Sequence, residues 1–211
     1  MTGMSPAGRS DCVAALAPAH LDTVNVTPLL RRYRLGLALS CSGIAMVFVA
    51  FSSAYVVRRG IPTYDLATGA YSTTWEPLQL PIGLLLVGTV MLLAASGTME
   101  VSRRSGGGVI SFVIVSALLV LAFMGMLGAV WHDLGSSGQF MNSGARASFF
   151  YVLTGAHAGL ALLGVVTLLF VGIRRHAWSR TGLHTAVDLT ASYVHFVTGL
   201  WVYLLLFLLF A

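Results

Sequence analysis

Residues 107–131 read GGVISFVIVSALLVLAFMGMLGAVW, twenty-five positions without one charge. A helix crossing the hydrocarbon core of a bilayer needs about 20 consecutive apolar residues. Four more such runs flank this one, at 35–57, 79–101, 148–173 and 187–211. Only helices and closed barrels satisfy their backbone hydrogen bonds in lipid. Runs this long and this continuously apolar are helices, since barrel strands alternate over about ten residues. The reading is an all-α membrane protein, a bundle of five transmembrane helices at residues 33–211, preceded by a polar, poorly ordered tail at 1–32.

Composition agrees. The 211 residues are 57% hydrophobic and 9% charged, with a mean hydropathy of +0.86, whereas soluble domains carry roughly 25% charged residues. The net charge of +5 does not read as nucleic-acid binding, because all twelve basic residues are arginines that cluster at the ends of apolar runs. Arg9, Arg31, Arg32, Arg34, Arg103, Arg104, Arg174, Arg175 and Arg180 fall on one side of the bundle; Arg58, Arg59 and Arg146 fall on the other. That nine-to-three division puts the N-terminus in the cytoplasm and the C-terminus outside. Arg58-Arg59-Gly60-Ile61-Pro62 ends the first run, Pro77 and Pro81 bracket the entry to the second, and Ser105-Gly106-Gly107-Gly108 makes a tight turn before the third. The long connection Arg58–Leu78 is expected to pack on a neighbour. No secretory leader and no internal repeat is evident, and the first span is expected to serve as the insertion signal. Cys12 and Cys41 have no neighbour at metal-ligand spacing.

Within the runs, polar groups are few. Asp188, Ser192, His195 and Gly199 follow at four, three and four residues, one helical face with Thr198 beside it. Such a stripe is expected to face protein. His157 lies about nine residues from its run's outer end, about 14 Å deep at 1.5 Å per residue. Each histidine has two readings: an interhelical hydrogen bond in a packing seam, or a proton relay or ligand contact. Gly155 and Gly159 form a GxxxG pair that permits close helix approach. Glu100 precedes Arg103 and Arg104 by three and four residues, the spacing of an interfacial ion pair. Trp75, Trp131, Trp178 and Tyr55 fall near run ends and fit an aromatic belt. Two membrane histidines are too few for a haem or copper centre, and no acid stands at the midplane, where a proton pump or cation carrier usually needs one. No catalytic, cofactor-binding or metal-ligating residue is assigned.

The later helices carry a pattern: Trp131-x-x-Leu134-x-x-x-Gly138, then Ser148-Phe149-Phe150-Tyr151-x-x-Thr154-Gly155-x-His157, then Tyr193-x-His195-Phe196-Val197-x-x-x-Trp201-x-Tyr203. Earlier come Phe51-Ser52-Ser53-Ala54-Tyr55, Trp75-x-Pro77-x-x-Leu80-Pro81 and Leu92-Leu93-x-x-Ser96-x-Thr98-x-Glu100. From about Leu35 to Ala211 the order and spacing resemble subunit III of the haem–copper cytochrome c oxidases, in its short five-helix form. The departures from that family's pattern are at about Gly43 or Ile44, where it carries a glutamate, at Leu160, where it has a second histidine, and at Val194 and Thr198, where it has tryptophan and aspartate.

The resemblance implies a non-redox accessory subunit of a bacterial oxidase in the cell's inner membrane. It packs chiefly on subunit I, which reduces O2 and pumps protons, and also meets subunit II. It holds phospholipid, leaves haem and copper to its partners, and can join a respiratory supercomplex. The family-motif polar residues are His157, Thr154, Tyr151, His195, Ser192, Tyr193, Thr198, Trp201 and Glu100. Arg174, Arg175 and Arg180 are placed to meet lipid phosphates or simply to set topology, and His176, His184 and Asp188 to buffer protons near a neighbour. The alternatives are the equivalent subunit of a quinol oxidase, a homologue accompanying a nitric-oxide reductase, and, from another class, a small transporter or assembly factor.

Overall fold

The computed structural model describes residues 7–66, 69–72, 80–104, 108–141, 143–174 and 180–210, without the side chains of 7–30, Thr63, Asp65, Ser72, Arg180 and Thr181. Among these residues the elements are α1 (Ala7–Gly60), β1 (Thr63–Asp65), β2 (Ala70–Ser72), α2 (Ile82–Arg104), α3 (Val109–Ser136), α4 (Ala145–Arg174) and α5 (Arg180–Phe210). Five spans are long and apolar enough to cross a membrane: Arg31–Gly60, Ile82–Arg104, Val109–Ser136, Ala145–Arg174 and Gly182–Phe210. Each covers most of an expected run and continues into the polar residues beside it, because backbone hydrogen bonding does not stop where side chains turn polar. For the same reason α1 reaches back to Ala7, through an alanine-rich stretch of high helix propensity, where the sequence reading expects a tail. The chain forms two compact units, Met1–Ser40 and Cys41–Ala211. The first is helical from Ala7 onward.

In the second unit, α2 lies against α3 and α5, and α4 lies against the same two. The four helices therefore close a ring, with the last helix returning to pair with α2. The backbone turns are made by glycine where its freedom is needed. Gly108 has φ 73° just before α3. Gly138 has φ 77° just after it, where its N–H reaches Gly135 O at 3.1 Å and that of Gln139 reaches Leu134 O at 3.0 Å. This pair of bonds is a Schellman cap.

The ring is filled in layers. Toward the end that carries Arg103, Arg104 and Arg174, buried Met99, Val113, Leu168, Val171, Val187 and Val194 pack together. At the centre, Trp201 of α5 crosses to Phe123 of α3, with ring centroids 4.7 Å apart. From Cys41 onward α1 lies outside the ring, where Phe48 packs with Leu153, Leu200 and Leu204. Tyr55 sits fully buried between Phe149 and Phe207, with centroids at 5.5 and 5.1 Å. It is thus a packing residue and not part of an interfacial belt, because α4 and α5 cover the end of α1 where it lies.

The connection after α1 contains a small antiparallel hairpin that pairs Thr63 with Ser72, Tyr64 with Tyr71 and Asp65 with Ala70. The two tyrosine rings meet edge-on at 5.1 Å, and Tyr64, Leu66 and Tyr71 are exposed.

The GxxxG pair does not mark one close helix contact. A Cβ on Gly155 would meet only the Trp131 ring at 3.8 Å, and one on Gly159 would meet nothing within 4 Å, because the two residues look toward different surroundings. The tight approaches are at Gly88, where a Cβ would come within 3.2 Å of Phe123, and at Gly164, 3.4 Å from Tyr193. These are the positions where a missing side chain lets an aromatic ring in.

Candidate functional site

Lipid offers a polar side chain no partner, so each must find one on a helix. The first solution is local. Ser52, Thr89 and Thr154 return their hydroxyls to the carbonyl one turn back, at 2.9, 2.8 and 2.6 Å. That frees the hydroxyl oxygen to accept from elsewhere. Thr154 accepts Trp131 Nε1–H at 3.1 Å, joining α3 to α4. Thr89 accepts Trp201 Nε1–H at 2.9 Å, joining α2 to α5. The Trp131 Nε1–H is therefore turned toward α4, while the ring itself stays half-buried near the end of α3.

The second solution is to reach a carbonyl of another helix. Tyr193 OH donates to Leu160 O at 2.9 Å, and Thr198 Oγ1 to Leu92 O at 3.4 Å. Tyr151 OH donates to Gln139 O in the α3–α4 loop at 3.0 Å. His157 is completely buried and sends Nε2–H to Val197 O at 3.0 Å, so α4 is held to α5 at mid-depth. Its ring lies 5.7 Å from Phe123 and 5.0 Å from Trp201. With Nε2 donating, Nδ1 carries a lone pair that meets no donor among the described residues. Six of the motif residues thus make connections between elements, and together they stitch the ring along its length.

The third arrangement is different in kind. His195 on α5 takes a short hydrogen bond at Nδ1 with Ser96 Oγ of α2. Its Nε2 lies 3.4 Å from Glu100 Oε2. Glu100 also holds Arg104 Nε at 2.8 Å and Arg103 Nη1 at 3.2 Å. Arg103 Nη2 reaches Asp188 Oδ1 of α5 at 2.6 Å. Ser96, His195, Glu100, Arg103 and Asp188 form one chain of polar contacts running up the α2–α5 seam. Two carboxylates and two guanidinium groups balance in charge. About a third of the side chain of each of His195 and Glu100 remains exposed. Ser192, bonded to Asp188 O at 2.9 Å, and Gly199 are exposed as well. The stripe read from the sequence therefore lies at the rim of this chain's own bundle: His195 meets α2 from its edge, while Ser192 and Gly199 look outward.

The pairing of Glu100 with the two arginines follows from the helical spacing. Its reach to His195, 95 residues away, and the role of Ser96 have no signature in sequence. Nor does the Arg103–Asp188 link. Arg174 is exposed, with its guanidinium carbon 5.6 Å over the Phe170 ring. Arg175, His176, Trp75 and Trp178, and the side chain of Arg180, lie outside the described residues. Among the described residues no group of three or more His, Cys, Asp and Glu comes together as a metal site would require.

Five apolar spans, four of them tied to one another by hydrogen bonds between helices, define an integral membrane protein whose polar groups serve chiefly to join one helix to the next. The family model for cytochrome c oxidase subunit III matches residues 16–211. The chain belongs to that family. Proteins named cytochrome c oxidase subunit 3 are similar to it: that of Pyricularia grisea is 27% identical over 176 residues, covering 81% of this chain and 64% of the relative. That of Marchantia polymorpha is 24% identical, covering 81% and 65%, and that of Thermostichus vulcanus 26%, covering 81% and 83%. The chain thus spans less than two thirds of the length of the Pyricularia and Marchantia relatives.

Proposed function

We propose that this chain is the non-redox subunit III of a bacterial haem–copper cytochrome c oxidase. The observation that carries the reading is the family match from residue 16 to residue 211. In that role the chain packs against subunit I, shares the complex with subunit II, and prolongs the activity of the partner that reduces O2 and pumps protons. Its stitched ring suits a scaffold: the buried polar groups at His157, Thr154, Thr198, Trp201 and Tyr193 are occupied in holding helices together. It lies in the inner membrane with its N-terminus in the cytoplasm, as the distribution of arginines supports. Arg174, which is exposed, then meets anionic head groups of the cytoplasmic leaflet, with Arg175 and Arg180 as further candidates by their place in the sequence, and bound phospholipid is part of the functional unit.

Purification of an affinity-tagged chain from its own membranes in mild detergent tests this. The expected result is co-purification with haem absorbance, copper and oxygen consumption driven by reduced cytochrome c. Oxidation of quinol in place of cytochrome c would reassign the electron donor. A stable, haem-free protein that moves a solute in liposomes would overturn the reading altogether. Deleting the gene should leave the haem spectrum of the remaining complex unchanged while its activity decays several-fold faster during turnover.

A further inference from the structure

His195 stands seven residues along α5 from Asp188, and Ser96 seven residues along α2 from Arg103. At 1.5 Å per residue each is roughly 10 Å from the charged residues that mark the end of the spans. A hydrocarbon core is about 30 Å thick, so His195 lies at acyl-chain depth. Yet a third of its side chain, and a third of that of Glu100 beside it, is left uncovered by this chain. Ionisable groups inside a membrane face protein or a polar cavity, not acyl chains.

Small, exposed residues stand beside the pair on both helices. Gly97 on α2 and Gly199 on α5 flank the seam on its outer side, and a Cβ on either would meet nothing within 4 Å. Small residues on both walls let a further helix approach backbone to backbone. At the charged end of the same groove Arg104 is 80% exposed. It spends its Nε on Glu100, and its two terminal nitrogens have no acceptor among the described residues. That leaves a guanidinium fork pointing out of the groove, complementary to a carboxylate.

Resting on the proposed function, we infer that the α2–α5 groove is the docking surface for a transmembrane helix of an oxidase partner subunit. That helix covers the His195–Glu100 pair, presents small or hydrogen-bonding residues to Gly97 and Gly199, and carries a carboxylate at the level of Arg104. A phospholipid would satisfy Arg104 with its phosphate but would lay an acyl chain on His195 and Glu100, so a protein helix fits the whole groove better.

The test uses the intact complex in native membranes, with a photo-crosslinking amino acid placed at Leu93, on the groove's edge, or at Leu118, on the outward face of α3. The expected result is an adduct from Leu93 with an oxidase membrane subunit, identified by mass spectrometry, and lipid adducts from Leu118. Lipid adducts alone from both positions, in a complex that still co-purifies with haem, would overturn the proposal and leave the proposed function standing. Adducts with the oxidase from Leu118 and not from Leu93 would likewise move the interface to another face. Failure to co-purify with haem at all would remove the functional reading on which the proposal rests. As a second readout, Gly97→Leu fills open space in this chain and should leave its fold intact. It is expected to reduce co-purified haem at least tenfold, and undiminished haem recovery would sink the proposal.

Discussion

His157 has a carbonyl for its Nε2–H, an aromatic ring on either side, and no ion pair among the described residues. Replacing it with alanine removes a cross-helix hydrogen bond and leaves a void between Phe123 and Trp201. The expected loss is about 2–4 kcal/mol, in the range of large-to-small core substitutions, read as a shift of the unfolding midpoint of the purified chain in micelles. Trp201→Phe keeps part of the ring packing, deletes the bond to Thr89 and leaves a smaller void; the expected loss is about 1–2 kcal/mol. If the two variants cost the same, the larger void at His157 adds nothing and the account of His157 as a filled core position is wrong. Both histidines are visible in the sequence as anomalies, because a polar ring in an apolar run needs a partner. The partner's identity is not visible. Val197 O is a backbone atom that any residue could supply, and Ser96 is one of many serines in the membrane runs.

At the scale of the element, the helices are legible because length and apolarity together are sufficient to specify a span. The interfaces are less so. The GxxxG spacing on α4 points to Gly155 and Gly159, but the glycines that admit a neighbouring ring are Gly88 and Gly164. Spacing records which residues share a face; it does not record which face has a large aromatic opposite it. The distinction is measurable. Gly88→Ala should destabilise the chain by about 1–3 kcal/mol, since Phe123 has to move aside. Gly97→Ala should be neutral or stabilising by up to about 1 kcal/mol, because it removes a helix-weakening glycine and meets open space. Equal effects of the two in micelle denaturation would contradict the packing described. The tyrosine near the end of α1 is misread as a belt residue for a similar reason: position along a helix does not reveal what lies across from it.

At the scale of the whole molecule, the closed ring α2–α3–α4–α5 and the external position of α1 beyond Cys41 make a prediction about independence. The ring's seams are made by its own four helices, and α1 contributes mainly Phe48 and Tyr55 against the outside of α4 and α5. A chain restricted to residues 80–211 should insert, retain its helical circular dichroism and resist trypsin within the spans. The apolar surface that α1 uncovers is one that lipid can cover at little cost. Loss of helicity or protease resistance in the fragment would show that α1 is part of the folding unit. The order of the helices around the ring has no sequence signal at all, since each is apolar enough to sit beside any other.

The return of α5 to α2 also imposes a schedule. Ser96 and Glu100 leave the ribosome 99 and 95 residues before His195. At roughly 5–20 residues per second, α2 waits on the order of 5–20 s for the helix that completes it. During that interval a carboxylate and a hydroxyl sit in an unfinished membrane segment with their eventual partner not yet synthesised. Biogenesis of this protein therefore has a vulnerable period whose length is set by translation speed, and a pause between α3 and α5 lengthens it in direct proportion.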